Sequence, residues 1–165
     1  MSVAEQIKIL RANYAVKFTL PIVYSQHYEA LKAAEAEAPE DEREAARKQF
    51  IETHHDLKLV VSRLSDEEKK GAGRALLKAE GNIAGLEAYH NDMWQKIRRH
   101  VEKGYERGTD GNFSEVKKET LGELLDMLKK YDEDCVSFII NAYNEAERAD
   151  AKKAEADKDF LAPAS

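Results

Sequence analysis

Apolar residues recur at intervals of three and four along nearly the whole chain, and no other feature constrains its fold as strongly. One such stripe is Phe50, Thr53, Leu57, Val60 and Leu64. Another is Leu76, Ala79, Ile83, Leu86, His90, Met93 and Ile97, flanked by Trp94 and Val101. A third is Leu121, Leu124, Leu128, Tyr131, Cys135, Ile139, Ala142 and Ala146. A near-3.5-residue repeat on successive segments joined by short connections predicts an all-α, up-down-up-down four-helix bundle with long helices. The helices are expected at about 2–36, 41–64, 66–104 and 115–150.

The punctuation agrees with that division. Ala38, Pro39 and the acids that follow stop one helix and start the next. Ser65 and Glu68 have capping-box spacing. The Gly71 and Gly73 pair is expected to weaken the start of the third helix. Gly104 to Ser114 forms a loop, with Ser114 as an N-cap before Glu115. Residues 1–150 are then one bundle domain, and 151–165 a frayed or disordered tail.

The first segment carries apolar residues on two sides. Ile9, Ala12, Val16, Leu20, Val23, His27 and Ala30 form one stripe, and Ile7, Tyr14, Phe18 and Ile22 a second. Every helix of a bundle keeps one side wet, so this pattern predicts a homodimer with Ile9, Val16, Leu20 and Val23 at the interface. Pro21 is expected to kink the helix.

Composition excludes several classes. Charged residues make up 35% and the formal net charge is -6, which disfavours nucleic acid, whose phosphates want a basic stripe. No apolar run approaches the roughly 20 residues of a membrane-spanning helix. The start of the chain lacks the basic and apolar regions of a signal peptide, so the expected location is cytoplasmic. Cys135 is the single cysteine, read as a small buried apolar residue.

Two Glu-x-x-His strings, Glu52 to His55 and Glu87 to His90, have the spacing that dinuclear iron or manganese bundles use. At about 100° per residue, with Leu57 at the centre of its stripe, Glu52 and His55 point into solvent and His54 lies at the core edge. His90 falls on the apolar stripe with Glu87 beside it. Levelling the helices by their lengths brings His27, Glu29, His54, Glu87, His90, Tyr131 and Asp132 forward as ligand or metal candidates. No cofactor is required by this reading; iron or manganese is the one the spacing allows, within an oxidoreductase or a metal-handling bundle. A structural helical adaptor is a further alternative.

From about residue 41 to 150 the chain resembles the four-helix-bundle sensor domains of bacterial chemoreceptors. The likeness rests on Leu64, Ser65, Asp66, Glu67 and Glu68 opening a helix and on the region of Tyr89. It continues through the glycine-containing loop and the Leu121, Leu124 and Leu128 ladder. The resemblance implies a non-enzymatic dimer, paired through its first helix, that senses a small molecule, often a carboxylate. It also implies a periplasmic location if the chain is an excised sensor domain.

Overall fold

A computed structural model describes residues 1–14, 16–78 and 82–161. The side chains of Ala12, Tyr14 and Leu76, together with Ala79 and residues 162–165, lie outside what is described. The fold is mixed α/β, and the four-helix bundle expected from the spacing is not formed. Helices α1 (Val3–Tyr14), α2 (Tyr28–Glu37), α3 (Arg43–His54), α4 (Asp66–Lys78), α5 (Ile83–His100), α6 (Lys118–Tyr131) and α7 (Glu133–Leu161) are joined by strands β1 (Lys17–Ile22), β2 (Leu57–Ser62), β3 (Val101–Arg107) and β4 (Phe113–Glu115). The strands form one antiparallel sheet in the order β1-β2-β3-β4.

The physical reason for the correction is that a spacing of four belongs to both periods. Val16 and Leu20 are one helical turn apart, but they are also two steps of a strand. The residues between them decide. Phe18 and Ile22 are buried together with Leu20, while Lys17 and Thr19 are exposed and Pro21 is half-buried, which is the alternation of a sheet with one face on the core. Over residues 16–22 the two apolar sides of the expected first helix are therefore one strand face divided in two by the wrong period. In β2, Leu57, Leu59 and Val61 are buried with Lys58, Val60 and Ser62 between them. The expected kink at Pro21 becomes a proline on an edge strand, where the missing N–H breaks no ladder bond.

Helix α5 passes directly into β3 at Val101, and a bulge between Val60 and Val61 adjusts the register. Gly104 lies opposite Leu59, and a Cβ there would sit 2.6 Å from Leu121 Cδ1, so the absence of a side chain lets α6 close on the sheet. In the β3–β4 hairpin Gly111 has φ 83, a conformation glycine adopts without strain.

The core lies between the sheet and α5, α6 and α7. Phe18, Leu20 and Leu59 meet Trp94 and Ile97 of α5, Leu121 and Leu125 of α6, and Val136 and Ile139 of α7. Tyr143 is fully buried, edge-on to Phe18, and its hydroxyl accepts the Leu64 N–H at 2.9 Å.

Several local expectations hold. Helix α2 ends at Glu37 before Pro39. Ser65 Oγ accepts the Glu68 N–H at 3.2 Å, and Glu68 accepts the Ser65 N–H at 3.1 Å, completing the capping box. Others do not. Helix α4 runs through Gly71 and Gly73, and Ser114 lies within β4 rather than at a helix start. The expected last helix is broken at Asp132. Helix α7 is much longer than the other helices and extends to Leu161. Among the described residues no helix is long and apolar enough to cross a membrane.

Candidate binding groove

A groove of about 930 Å³ runs along β1 between α3 and α7. Thr19, Leu20 and Pro21 form its floor. Arg47, Lys48, Ile51 and Glu52 of α3 form one wall, and Phe138, Ala142, Glu145, Ala146 and Arg148 of α7 the other, with Lys58 and His55 at the α3 end of the sheet.

His55 is the residue that sets this groove apart from an ordinary cleft. It follows α3, only 6% exposed, with its ring stacked on Phe113 at 5.0 Å and 22° between planes. Its Nδ1 lies 2.7 Å from the Ile51 carbonyl. A carbonyl only accepts, so Nδ1 carries the proton and donates, and the neutral ring's acceptor is Nε2. That atom is buried and has no hydrogen-bond partner among the described residues. Burial holds the imidazole pKa below its ordinary value. The Ile51 carbonyl works against this, and the Arg107 and Lys58 charges add to the lowering. The expectation that His55 points into solvent is therefore overturned; the chain leaves helical geometry at His55 (φ -63, ψ 144), and helical phase no longer governs the side chain.

Charge distinguishes the groove from the rest of the protein. Five cations, Arg47, Lys48, Lys58, Arg148 and Lys152, line it with the three carboxylates Glu44, Glu52 and Glu145, in a chain of net charge -6. Arg47 pairs weakly with Glu35 at 3.5 Å and lies over the Phe138 ring, and Lys48 pairs with Glu44 at 3.4 Å. Lys58 sits over Phe113 at 4.3 Å. Arg148 and Lys152 are exposed, and among the described residues neither forms an ion pair.

The residues proposed from sequence fall elsewhere and do not converge. His27 Nδ1 meets Asp56 at 2.9 Å, and the same carboxylate accepts the Tyr24 N–H. Asp132 accepts the Ser25 hydroxyl at 2.7 Å. Close by, Cys135 is fully buried, and burial with the Asp132 charge pushes its thiol up to about 12. Glu29 is exposed on α2, and His54 is exposed, stacked on Phe50. His90 is not at the centre of the core; it is half-buried, 3.3 Å from Glu133, whose carboxyl is held low chiefly by its hydrogen bond from Lys129. Glu87 is exposed, as is Tyr131 at 72%. Among the described residues no three His, Cys, Asp or Glu side chains gather to hold a metal ion, so the metal-binding alternative is not supported. Of the interface candidates, Ile9 is exposed and Val16 half-buried, while Leu20 and Val23 are enclosed in the chain's own core.

A second polar cluster joins Ser62, His100 and Glu68. Ser62 Oγ is 3.0 Å from His100 Nδ1, and His100 Nε2 is 3.0 Å from Glu68. The Ser62 hydroxyl also lies 3.3 Å from the His100 carbonyl, and Glu68 additionally accepts the Ser65 hydroxyl. Burial raises the Glu68 pKa, but these hydrogen bonds outweigh it and keep the carboxyl low. The hydroxyl–imidazole–carboxylate series is thus spent on tying the first turn of α4 to the end of α5 and to β2.

Compared with protein-family models, curated proteins and solved structures, the chain finds no match.

Proposed function

We propose that this protein is a non-enzymatic binding module whose α3–β1–α7 groove takes a carboxylate-bearing ligand. The observation that carries the reading is the charge of the groove, five cations against three carboxylates in a chain of net charge -6. A ligand whose carboxylates meet Arg148 and Lys152 would pair two exposed cations that form no ion pair among the described residues. Small polycarboxylates such as citrate carry such groups.

The same reading includes self-association. Val3, Ile7, Ile9 and Leu10 of α1 are all exposed, and among the described residues α1 has no extensive packing against another element. An isolated 12-residue helix is marginal in water, so a second copy packed on its apolar side would stabilise it.

Chemical-shift mapping with citrate tests the binding claim. Backbone amides of Thr19, His55, Arg148 and Lys152 should shift on titration, with those of α6 unmoved. Shifts confined to other surfaces, or none at millimolar citrate, would overturn it.

A further inference from the structure

We propose, resting on the groove reading above, that the carboxylates belong to an extended acidic peptide that adds to the free edge of β1 as a fifth strand. Strand β1 is the outer member of the sheet. Its even-numbered residues turn their backbone towards β2: the Arg63 N–H donates to the Val16 carbonyl at 3.0 Å and the Asp56 N–H to the Ile22 carbonyl at 2.9 Å. Backbone groups alternate sides along a strand, so Lys17, Thr19 and Pro21 turn theirs outward. Among the described residues no group bonds to these outward atoms. Thr19 and Pro21 line the groove, so the unfilled ladder positions open on it.

Two features select a peptide over a free small carboxylate. The outward N–H of Thr19 and the carbonyls of Thr19 and Pro21 match the alternating donors and acceptors of a partner strand. The α7 wall from Phe138 to Lys152 is about 20 Å long at 1.5 Å per residue, the span of about six extended residues. The excess of cations over carboxylates along that wall and α3 makes the partner acidic. Pro21 limits the ladder by withholding one donor, which also protects the edge against indiscriminate pairing.

The test uses the whole protein and a capped hexapeptide alternating glutamate and valine, with citrate as the reference ligand. Calorimetry should show the peptide binding at least tenfold tighter than citrate, and hydrogen exchange at the Thr19 amide should slow on binding. Two further peptides, N-methylated at odd or at even positions, keep the charges but remove donors from opposite edges. One should lose binding at least tenfold and the other should not. Thr19→Pro, which removes the outward N–H, should weaken the peptide at least tenfold more than it weakens citrate, and if that variant fails to fold, the methylated pair decides alone. Equal binding by both methylated peptides, or an unprotected Thr19 amide with peptide bound, overturns edge pairing while citrate binding leaves the groove reading in place. Absence of binding by both ligands overturns both.

Discussion

The His55 imidazole lies on the Phe113 ring with centroids 5.0 Å apart, and the same ring carries Lys58 at 4.3 Å and Arg107 at 4.6 Å on its π-system. Two cations and an imidazole around one phenyl ring favour an uncharged His55, because a third positive charge there would be repelled and desolvated. The Arg107 guanidinium also donates to the His55 carbonyl at 2.8 Å, fixing the backbone that delivers the ring.

A pH dependence follows from the depressed His55 pKa. The unfolded imidazole titrates near 6.5 and the folded one lower. Between those values the unfolded chain binds more protons, so stability is full above pH 6.5 and falls as the pH drops below it. His55→Phe keeps the stacking and removes the proton site. In urea unfolding at about pH 7.5 and 5.5, wild type should lose more stability on acidification than His55→Phe. Equal losses would mean that His55 is not held neutral. His55→Ala, which empties a buried site, should cost about 2–3 kcal/mol at neutral pH.

Tyr143→Phe isolates one hydrogen bond. The ring and its edge-on contact with Phe18 remain, but the Leu64 N–H loses its buried acceptor. Equilibrium unfolding should show a loss of about 1–3 kcal/mol. A neutral result would mean that water reaches that amide.

Gly104→Ala should destabilise by about 1–3 kcal/mol, since its Cβ would press on the buried Leu121 side chain. The cost should shrink in a Leu121→Ala background, where the facing methyl groups are gone. A double-mutant cycle measures this coupling directly, and additive losses would contradict the contact.

Self-association should depend on α1 and not on β1. Ile7→Glu or Leu10→Glu should leave the fold intact and convert a dimer to monomer in sedimentation at micromolar concentration. Leu20→Glu should instead unfold the chain, because Leu20 is 1% exposed within the core. A wild-type monomer, or a dimer indifferent to both α1 changes, counts against the idea.

Much of the helical content was legible from sequence, and the sheet was not. The capping box at Ser65 and the stop at Pro39 are local chemistry, complete within four or five residues, and both appear where expected. Strands β1 and β2 are six residues each, too short for a period to outvote the helical pattern on either side. The available signal was the run Val16, Phe18, Leu20 and Ile22, with Leu57, Leu59 and Val61 as its partner. Read at a period of two, these need no second apolar face and no kink.

The site was less legible because it depends on tertiary placement. His55 stood out in the sequence for its spacing from Glu52, a relationship the fold does not use. Its burial comes from Phe113, 58 residues later, and from leaving the helix at that position. The cations of the groove are distributed over α3, β2 and α7, and within each element they resemble a solvated surface. His27 and Asp132 did mark polar clusters, but their partners Asp56 and Ser25 come from chain turns that an all-helical reading had no means to form.

The central claim, that the α3–β1–α7 groove is the binding surface, is tested most directly by charge reversal on its α7 wall. Arg148 and Lys152 are exposed and form no ion pair among the described residues, so Arg148→Glu and Lys152→Glu should leave thermal unfolding unchanged within about 0.5 kcal/mol. Titration of a fluorescent acidic hexapeptide should show each variant binding at least tenfold more weakly than wild type, with the wild-type affinity falling as salt is raised. Undiminished, salt-independent binding by both variants would contradict the account.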